Sequence, residues 1–471
     1  MLLAGSVLFI VLSLSATCSG DNPGIKVRMT QDVLENGVKY LIDKMTAEIS
    51  TYNLPDVNGS ATIDSDEMLF ELTKIQIADF KFENVSSKFV PGIGAQISLH
   101  RGNAVINCQY NINSWLIKDS ASALLTLKEI SIVMILGVRR IDPGVPSLYM
   151  SDCQSITQNI DFKMYSEISY VYEALKSHIE EVLQRSTSEQ LCSAVRSQVI
   201  AWNMSFSDLQ MNFTLSRNIE ADLSLTNDPE ISERYADLNL KGQFREPNVT
   251  AMQYSPAPFT LPAQDSSRSC AGISEASVNS FVNAYYSSGS MNAMLFSTSR
   301  SIKLTTSDLA DAVPEISEHF KSPTPAKIIL YATSCPNVTL KDKDITMDFQ
   351  GLFQIHAKPA EGKSQVLLEA NILAVLNGDI TMSDAEKFPG LNVSASVSLN
   401  RFQILKIEPN NKEAKEAASK KGIQHIFNQM LLPKINEKLK QGLPVPTSIL
   451  KNPSSISRQG YELVEMDFIL G

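Results

Sequence analysis

Five histidines, His100, His178, His319, His356 and His425, are the side chains of this chain whose ordinary pKa suits proton transfer or metal binding near neutral pH. They stand dozens of residues apart, so no two share a helix turn. HExxH and CxxC do not occur, which removes the spacings that set two zinc ligands side by side. Gly-x-Ser-x-Gly is missing too, and with it the strained turn that exposes a serine nucleophile. Pro91-Gly92-Ile93-Gly94 lacks the third glycine and the helix start that cradle a pyrophosphate, and reads as a turn. The residues therefore predict no enzyme, no metal and no cofactor. A hydrolase whose histidine meets a serine and a carboxylate only in space is the remote alternative.

Six cysteines occupy positions 18, 108, 153, 192, 270 and 335. Residues 1–20 read as a signal peptide, with an apolar run from Leu2 to Leu14 and small residues Ala16, Ser19 and Gly20 where a peptidase cuts. That run is too short to cross a bilayer. Ile130 to Val138 is shorter still, and the charge-free Ala276 to Ser299 is filled with Ser and Asn. The expectation is a secreted, extracellular protein without a transmembrane anchor. Cys18 leaves with the signal, and five cysteines in a large extracellular chain suggest one or two bridges rather than a disulfide framework. Seven sequons, at Asn58, Asn84, Asn203, Asn212, Asn248, Asn337 and Asn392, are candidate glycosylation sites.

The 471 residues carry 41 Lys plus Arg against 51 Asp plus Glu, a net charge of -10. This is the wrong sign for a phosphate backbone and excludes nucleic acid as a partner. The deficit lies in residues 1–253, with 20 basic and 30 acidic side chains, whereas residues 254–471 carry 21 of each.

The elements that would position any site fall into two similar sets. Thr30 to Ser50 reads as an amphipathic helix with Leu34, Val38, Leu41, Met45 and Ile49 on one face. Short alternating runs come next: Ile75 and Ile77, Phe80 and Phe82 after a register change at Asp79, Ile97 and Leu99, then Ile106, Cys108, Tyr110 and Ile112. They predict an antiparallel meander. A second helical pattern runs through Val171, Leu175, Ile179, Val182 or Leu183, Leu191 and Val195, with a polar interruption at Ser186 to Glu189. Residues 247–267 carry four prolines and no periodicity, and read as a linker. Helix, strands and helix then recur, with Val278, Phe281, Val282 and Tyr285 on the first helix, alternation in Ile345 to Ile355 and in Leu391 to Leu399, and a closing helix near Gly422 to Leu439. The predicted class is α+β: two similar domains, each an antiparallel sheet wrapped on long helices, at 21–246 and 268–471.

Three stretches resemble the bactericidal/permeability-increasing protein, lipopolysaccharide-binding protein and plasma lipid-transfer family. Asn22-Pro23-Gly24 follows the signal, Cys153 and Cys192 bracket the second helix, and Leu432-Pro433-Lys434-Ile435 to Gly442-Leu443-Pro444-Val445-Pro446 is similar to the family's closing helix and Pro-rich exit. The resemblance implies two tubular barrels joined through a central sheet in a boomerang, a Cys153–Cys192 disulfide, and an apolar tunnel in each barrel for a lipid's acyl chains. Cys270 with Cys335 is the candidate second bridge, leaving Cys108 as a buried thiol. An acyl chain of ~16 carbons gains on the order of 12 kcal/mol on burial, before ordering costs. On that reading Leu34, Val38, Leu41 and Met45, with Leu175 and Ile179 opposite, wall the first tunnel, and Val278, Phe281, Val282 and Tyr285 the second. Plain core filling is the competing reading for each.

Family members that neutralise lipopolysaccharide carry clustered bases at the tip of the amino-terminal barrel. Here the corresponding turn holds Trp115, Leu116, Ile117 and Lys118, a membrane tip that is apolar rather than cationic. The leading expectation is a lipid-binding protein that holds phospholipid or another amphipathic lipid, transfers it, and touches lipid surfaces transiently. The alternative is an innate-immune protein for bacterial envelope lipid, which needs Lys74, Lys81, Lys88, Arg101 and Arg139-Arg140 to gather at one tip.

Overall fold

The computed structural model describes residues 22–468 except 49–52, 55, 64–65, 115–117, 166–168, 208–209, 217–218, 248, 250–253, 264–267, 290, 292–303, 311–312, 314–315, 317–319, 358–362, 386–389, 409–412 and 447–449. The chain divides into two compact units. Of the described residues, the first takes those in 28–209 and 228–238, and the second takes those in 22–27, 210–227 and 239–468.

In the first unit, helix α1 (Gln31–Glu48) precedes strands β1 (Val57–Ile63), β2 (Asp66–Val90), β3 (Gly94–Asn113), β4 (Lys118–Ile141) and β5 (Val145–Met164), then helix α2 (Ser169–Ser207). Each strand pairs antiparallel with the next, so the meander is real. Its strands are far longer than the short runs expected, because bulges join those runs end to end. On β2 the buried set changes from Met68, Phe70 and Leu72 to Ile75 and Ile77; on β3 from Ile97 and Leu99 to Ala104 and Ile106; on β4 from Leu125 and Leu127 to Ile130 and Ile132. Lys74, Arg101 and Glu129 sit at these three changes with φ of 51°, 52° and 55°. An extra residue flips side-chain parity, and strand curl increases with it. The register change read at Asp79 is the shift between Ile77 and Asp79.

Both helices lie on the inner face, and Val38, Ile42, Ile179, Leu183 and Val199 join one core with Leu99, Tyr110, Ile130 and Phe162. The polar stretch at Ser186 to Glu189 does not break α2, which is helical for 39 residues. A disulfide joins Cys153 on β5 to Cys192 on α2. Arg28 is buried, pairs bidentately with Asp237 at 2.7 and 2.6 Å, and stacks 3.6 Å from the Tyr235 ring.

In the second unit, β6 (Ser269–Ser274) leads into helix α3 (Glu275–Ser287), whose N-cap Ser274 accepts from the Ser277 N–H. Strands β7 (Ala326–Ala332), β8 (Asn337–Lys341), β9 (Asp344–Ala357), β10 (Gln365–Asp384), β11 (Gly390–Glu408) and β12 (Leu443–Pro446) form a sheet in the order β7-β9-β10-β11-β12, with β8 also on β9. The closing helix has three parts: α4 (Glu413–Ile426), a π turn at Phe427–Leu431, and α5 (Leu432–Leu439). The Leu432 N–H donates to the Phe427 carbonyl, five residues back, just before Pro433, which has no N–H to give. Ile423, Ile426, Phe427, Leu431 and Leu432 are buried against Phe353, Ile355 and Ile372. Strand β13 (Leu450–Arg458) pairs with β14 (Tyr461–Phe468), which pairs with β6.

Asn22-Pro23-Gly24 is held in place by this second unit. Asn22 donates to the Pro256 carbonyl at 3.1 Å, and the Gly24 N–H donates to the Lys241 carbonyl at 3.1 Å. A Cβ on Gly24 would lie 1.8 Å from the Tyr254 hydroxyl oxygen and 2.5 Å from Ser277 Oγ, so only glycine fits.

Candidate functional site

On α1, Val38 and Ile42 are buried and Leu34 packs against the core, whereas Leu41 points outward at 37% exposure. Leu41 is therefore removed from the candidate wall and Ile42 takes its place. Both residues stand three or four positions from Val38, so spacing alone does not choose between them. Ile179 on α2 is fully buried, and Val182, Leu191 and Val195 flank it half-buried. The Met45 and Leu175 side chains lie outside the described residues. The first-unit candidate seat is thus an apolar seam where α1 and α2 meet the inner face of β2–β5, edged by Phe80, Phe82, Met150 and Met164.

Helix α3 has two dissimilar faces. Val278 and Val282 pack on Val338, Leu340 and Ile345 of β8 and β9. Phe281 meets Phe244 edge-on at 5.5 Å and Tyr285 in a stack at 6.2 Å. All four expected wall residues are half-buried, and burial raises the Tyr285 pKa. Ala276, Asn279, Ser280, Asn283 and Ser287, at helical spacing on the opposite side, line a cleft of about 420 Å³. Gln243, Phe244 and Tyr254 from the segment before the helix form its other wall, and Asn337 stands on its rim. Tyr254 is locked by its hydroxyl, which donates to the Lys241 carbonyl at 2.6 Å and lies 3.0 Å from Ser277 Oγ. Burial raises its pKa against the opposing hydrogen bonds of Ser277 and Ser274. The sequence reading missed this cleft, since a polar helix face is ordinarily solvated. The recurrence of Asn279, Ser280, Asn283 and Ser287 was its one signal.

The basic residues on which envelope-lipid recognition would rest do not all gather at one tip, although Arg101 on β3 lies near Lys81 across the β2–β3 pairing. Lys74, Lys81 and Lys88 are exposed along one strand, β2, and 14 residues of extended chain span roughly 45 Å. Arg139 and Arg140 lie at the far end of β4, where Arg139 faces the Tyr149 ring and Arg140 pairs with Asp142. At the other end of the meander, Lys118 is exposed, as are Leu69 and Tyr165. Trp115, Leu116 and Ile117 lie outside the described residues.

Cys270, Cys335 and Cys108 are not joined in a disulfide, which corrects the expected Cys270–Cys335 bridge. Cys270 is buried on β6 beside Leu261 and Leu463, whereas Cys335 is half-buried just before β8. Burial pushes the Cys108 thiol up to about 11. Among the sequons, Asn58, Asn84, Asn212 and Asn337 are exposed, whereas Asn203 accepts from the Leu148 N–H at 2.7 Å and the Asn392 amide lies against Gly442. Asn248 and His319 fall outside the described residues. His100 Nδ1 and Ser131 Oγ are 2.7 Å apart on an exposed strand face, and among the described residues no carboxylate joins them. His356 contacts Gln354 at 3.0 Å, and burial, with Lys327 nearby, lowers its pKa. No cluster of metal-ligating side chains occurs among the described residues.

Compared with known proteins, residues 33–201 match the N-terminal domain of the LBP / BPI / CETP family and residues 214–452 match its C-terminal domain. The chain belongs to this family. It is 28% identical over 454 residues to human BPI fold-containing family C protein, covering 94% of this chain and 88% of that protein. It is 23% identical over 440 residues to the bactericidal permeability-increasing protein of Sebastes schlegelii, covering 90% of each. The crystal structure of a lipopolysaccharide binding protein superimposes with a TM-score of 0.60 at 17% identity, over 96% of this chain and 100% of that one. That likeness fixes the LBP / BPI / CETP fold for both halves. Among the described residues, no helix of this family member is long and apolar enough to cross a membrane.

Proposed function

We propose that this protein is a secreted lipid binder that seats acyl chains of phospholipid, or of another amphipathic lipid, against the apolar inner faces of its sheets and passes lipid between surfaces. The carrying observation is the family match over both halves of the chain. The apolar seam between α1, α2 and the first-unit sheet supplies the matching chemistry, because burial of each methylene contributes about 0.8 kcal/mol without a charged anchor. Lipid binding, rather than catalysis, is the activity proposed, in keeping with the family match over both halves.

Phospholipid is favoured over bacterial lipopolysaccharide because Lys74, Lys81 and Lys88 are strung along a strand rather than clustered. The test is organic extraction of natively secreted protein and mass spectrometry of the released lipids, beside a mock purification. About two phospholipids per chain are expected. An empty extract overturns lipid carriage, and recovery of lipopolysaccharide after exposure to both lipids reverses the stated preference.

A further inference from the structure

We propose that the cleft on the polar side of α3 seats the first sugars of an N-linked glycan attached at Asn337. Four neutral side chains converge on it, Gln243, Asn283, Ser287 and Asn337, and none has a hydrogen-bond partner among the described residues. An amide offers two donors and an acceptor and a hydroxyl offers both roles, so the set matches the hydroxyl and acetamido groups of an N-acetylated sugar. The Phe244 and Tyr254 rings supply the apolar part of the wall, where ring faces meet sugar C–H groups. The volume of about 420 Å³ falls within the ordinary range for ligand sites.

The occupant is chosen by position. Asn337-Val338-Thr339 is an intact sequon, and Asn337 is exposed at the rim. The next residue is fixed to the cleft-bearing helix. Asn279 donates to the Val338 carbonyl at 2.7 Å and accepts from its N–H at 2.8 Å. A sugar on Asn337 therefore starts at the cleft with its attachment point already ordered, which removes most of the association entropy a free saccharide would lose. Two charged side chains, Arg245 and Glu246, also line the cleft, and Arg245 is held by Glu220 at 3.1 Å.

The full chain, secreted from a glycosylating host, is digested to glycopeptides after timed exposure of the folded protein to a peptide-N-glycosidase. Asn337 is expected to be occupied, and its glycan to be released about tenfold more slowly than those at Asn58 and Asn84, a factor equivalent to ~1.4 kcal/mol. Denaturation is expected to equalise the rates. Filling the cleft with Ser287→Trp, or removing a partner with Asn283→Ala, should accelerate release at Asn337 alone. The Asn337→Gln variant, soaked with free N,N'-diacetylchitobiose, separates a tethered occupant from a free one: tight capture of the free sugar would overturn the intramolecular assignment. An unmodified Asn337, or release as fast as at Asn58 and unmoved by either cleft variant, also overturns the proposal.

Discussion

The two units bury their helices differently. In the first, α1 and α2 lie on the sheet with an apolar face closed by Val38, Ile42, Ile179 and Val199, and a disulfide ties α2 to β5. In the second, α3 leaves Val278 and Val282 half-buried on a small cluster and turns amides and hydroxyls to a cleft, while Cys270 and Cys335 remain unbridged. A shared order of elements therefore does not make the two helices equivalent as ligand walls. One presents an apolar face to its sheet, and the other presents amides and hydroxyls to a cleft.

The largest test of that contrast is removal of the bridge. Cys153→Ala with Cys192→Ala frees a 39-residue loop and is expected to cost about 4 kcal/mol. Hydrogen exchange should then rise across Arg28 to Leu209 and leave α3 protected. Arg28→Ala strands the buried Asp237 carboxylate and should cost about 3 to 5 kcal/mol by denaturant titration. Truncations of apolar helix residues sharpen the comparison further: Ile179→Ala should cost about 2 to 5 kcal/mol and Val278→Ala about 1 kcal/mol. Equal losses would mean that the two helix faces are packed alike.

The smallest effect concerns Glu462, buried on β14 with a hydrogen bond from Ser457. Burial raises its pKa despite that bond, so the folded chain holds this proton more tightly than the unfolded one. Stability from this group is complete below the unfolded-state pKa and declines as pH rises through the folded value. Glu462→Gln keeps the hydrogen bond and removes the decline, so its advantage over wild type should be greater at pH 7 than at pH 4 in paired melts.

Much of this architecture was legible because burial follows parity and helical spacing. Ile97, Leu99, Ile106, Cys108, Tyr110 and Ile112 all turned inward as their alternation required, and the shift at Asp79 was visible as a break in that alternation. Strand length was not legible, since the extra residues at Lys74, Arg101 and Glu129 flip parity and make one strand look like two. Leu41 was misplaced because Ile42 satisfies the same spacing. The Cys153–Cys192 bridge came from resemblance, and nothing in the spacing of the five cysteines selected it. The cleft of Gln243, Asn283, Ser287 and Asn337 joins residues nearly a hundred positions apart, and their polarity resembles that of any solvated surface until the fold brings them together.

The π turn at Phe427–Leu431 has a consequence for how this chain can change length over descent. Such a turn amounts to a helix that has accepted one additional residue, and each residue rotates the remainder of the helix by about 100°. Deleting one residue there would regularise the helix yet swing Leu432 and Ile435 away from the second-unit core cluster that both now pack into. The irregular turn is thus the tolerated form and the regular helix the damaging one. Lineages carrying this closing segment should conserve its residue count more strictly than the identities of the exposed residues Asn428 and Gln429.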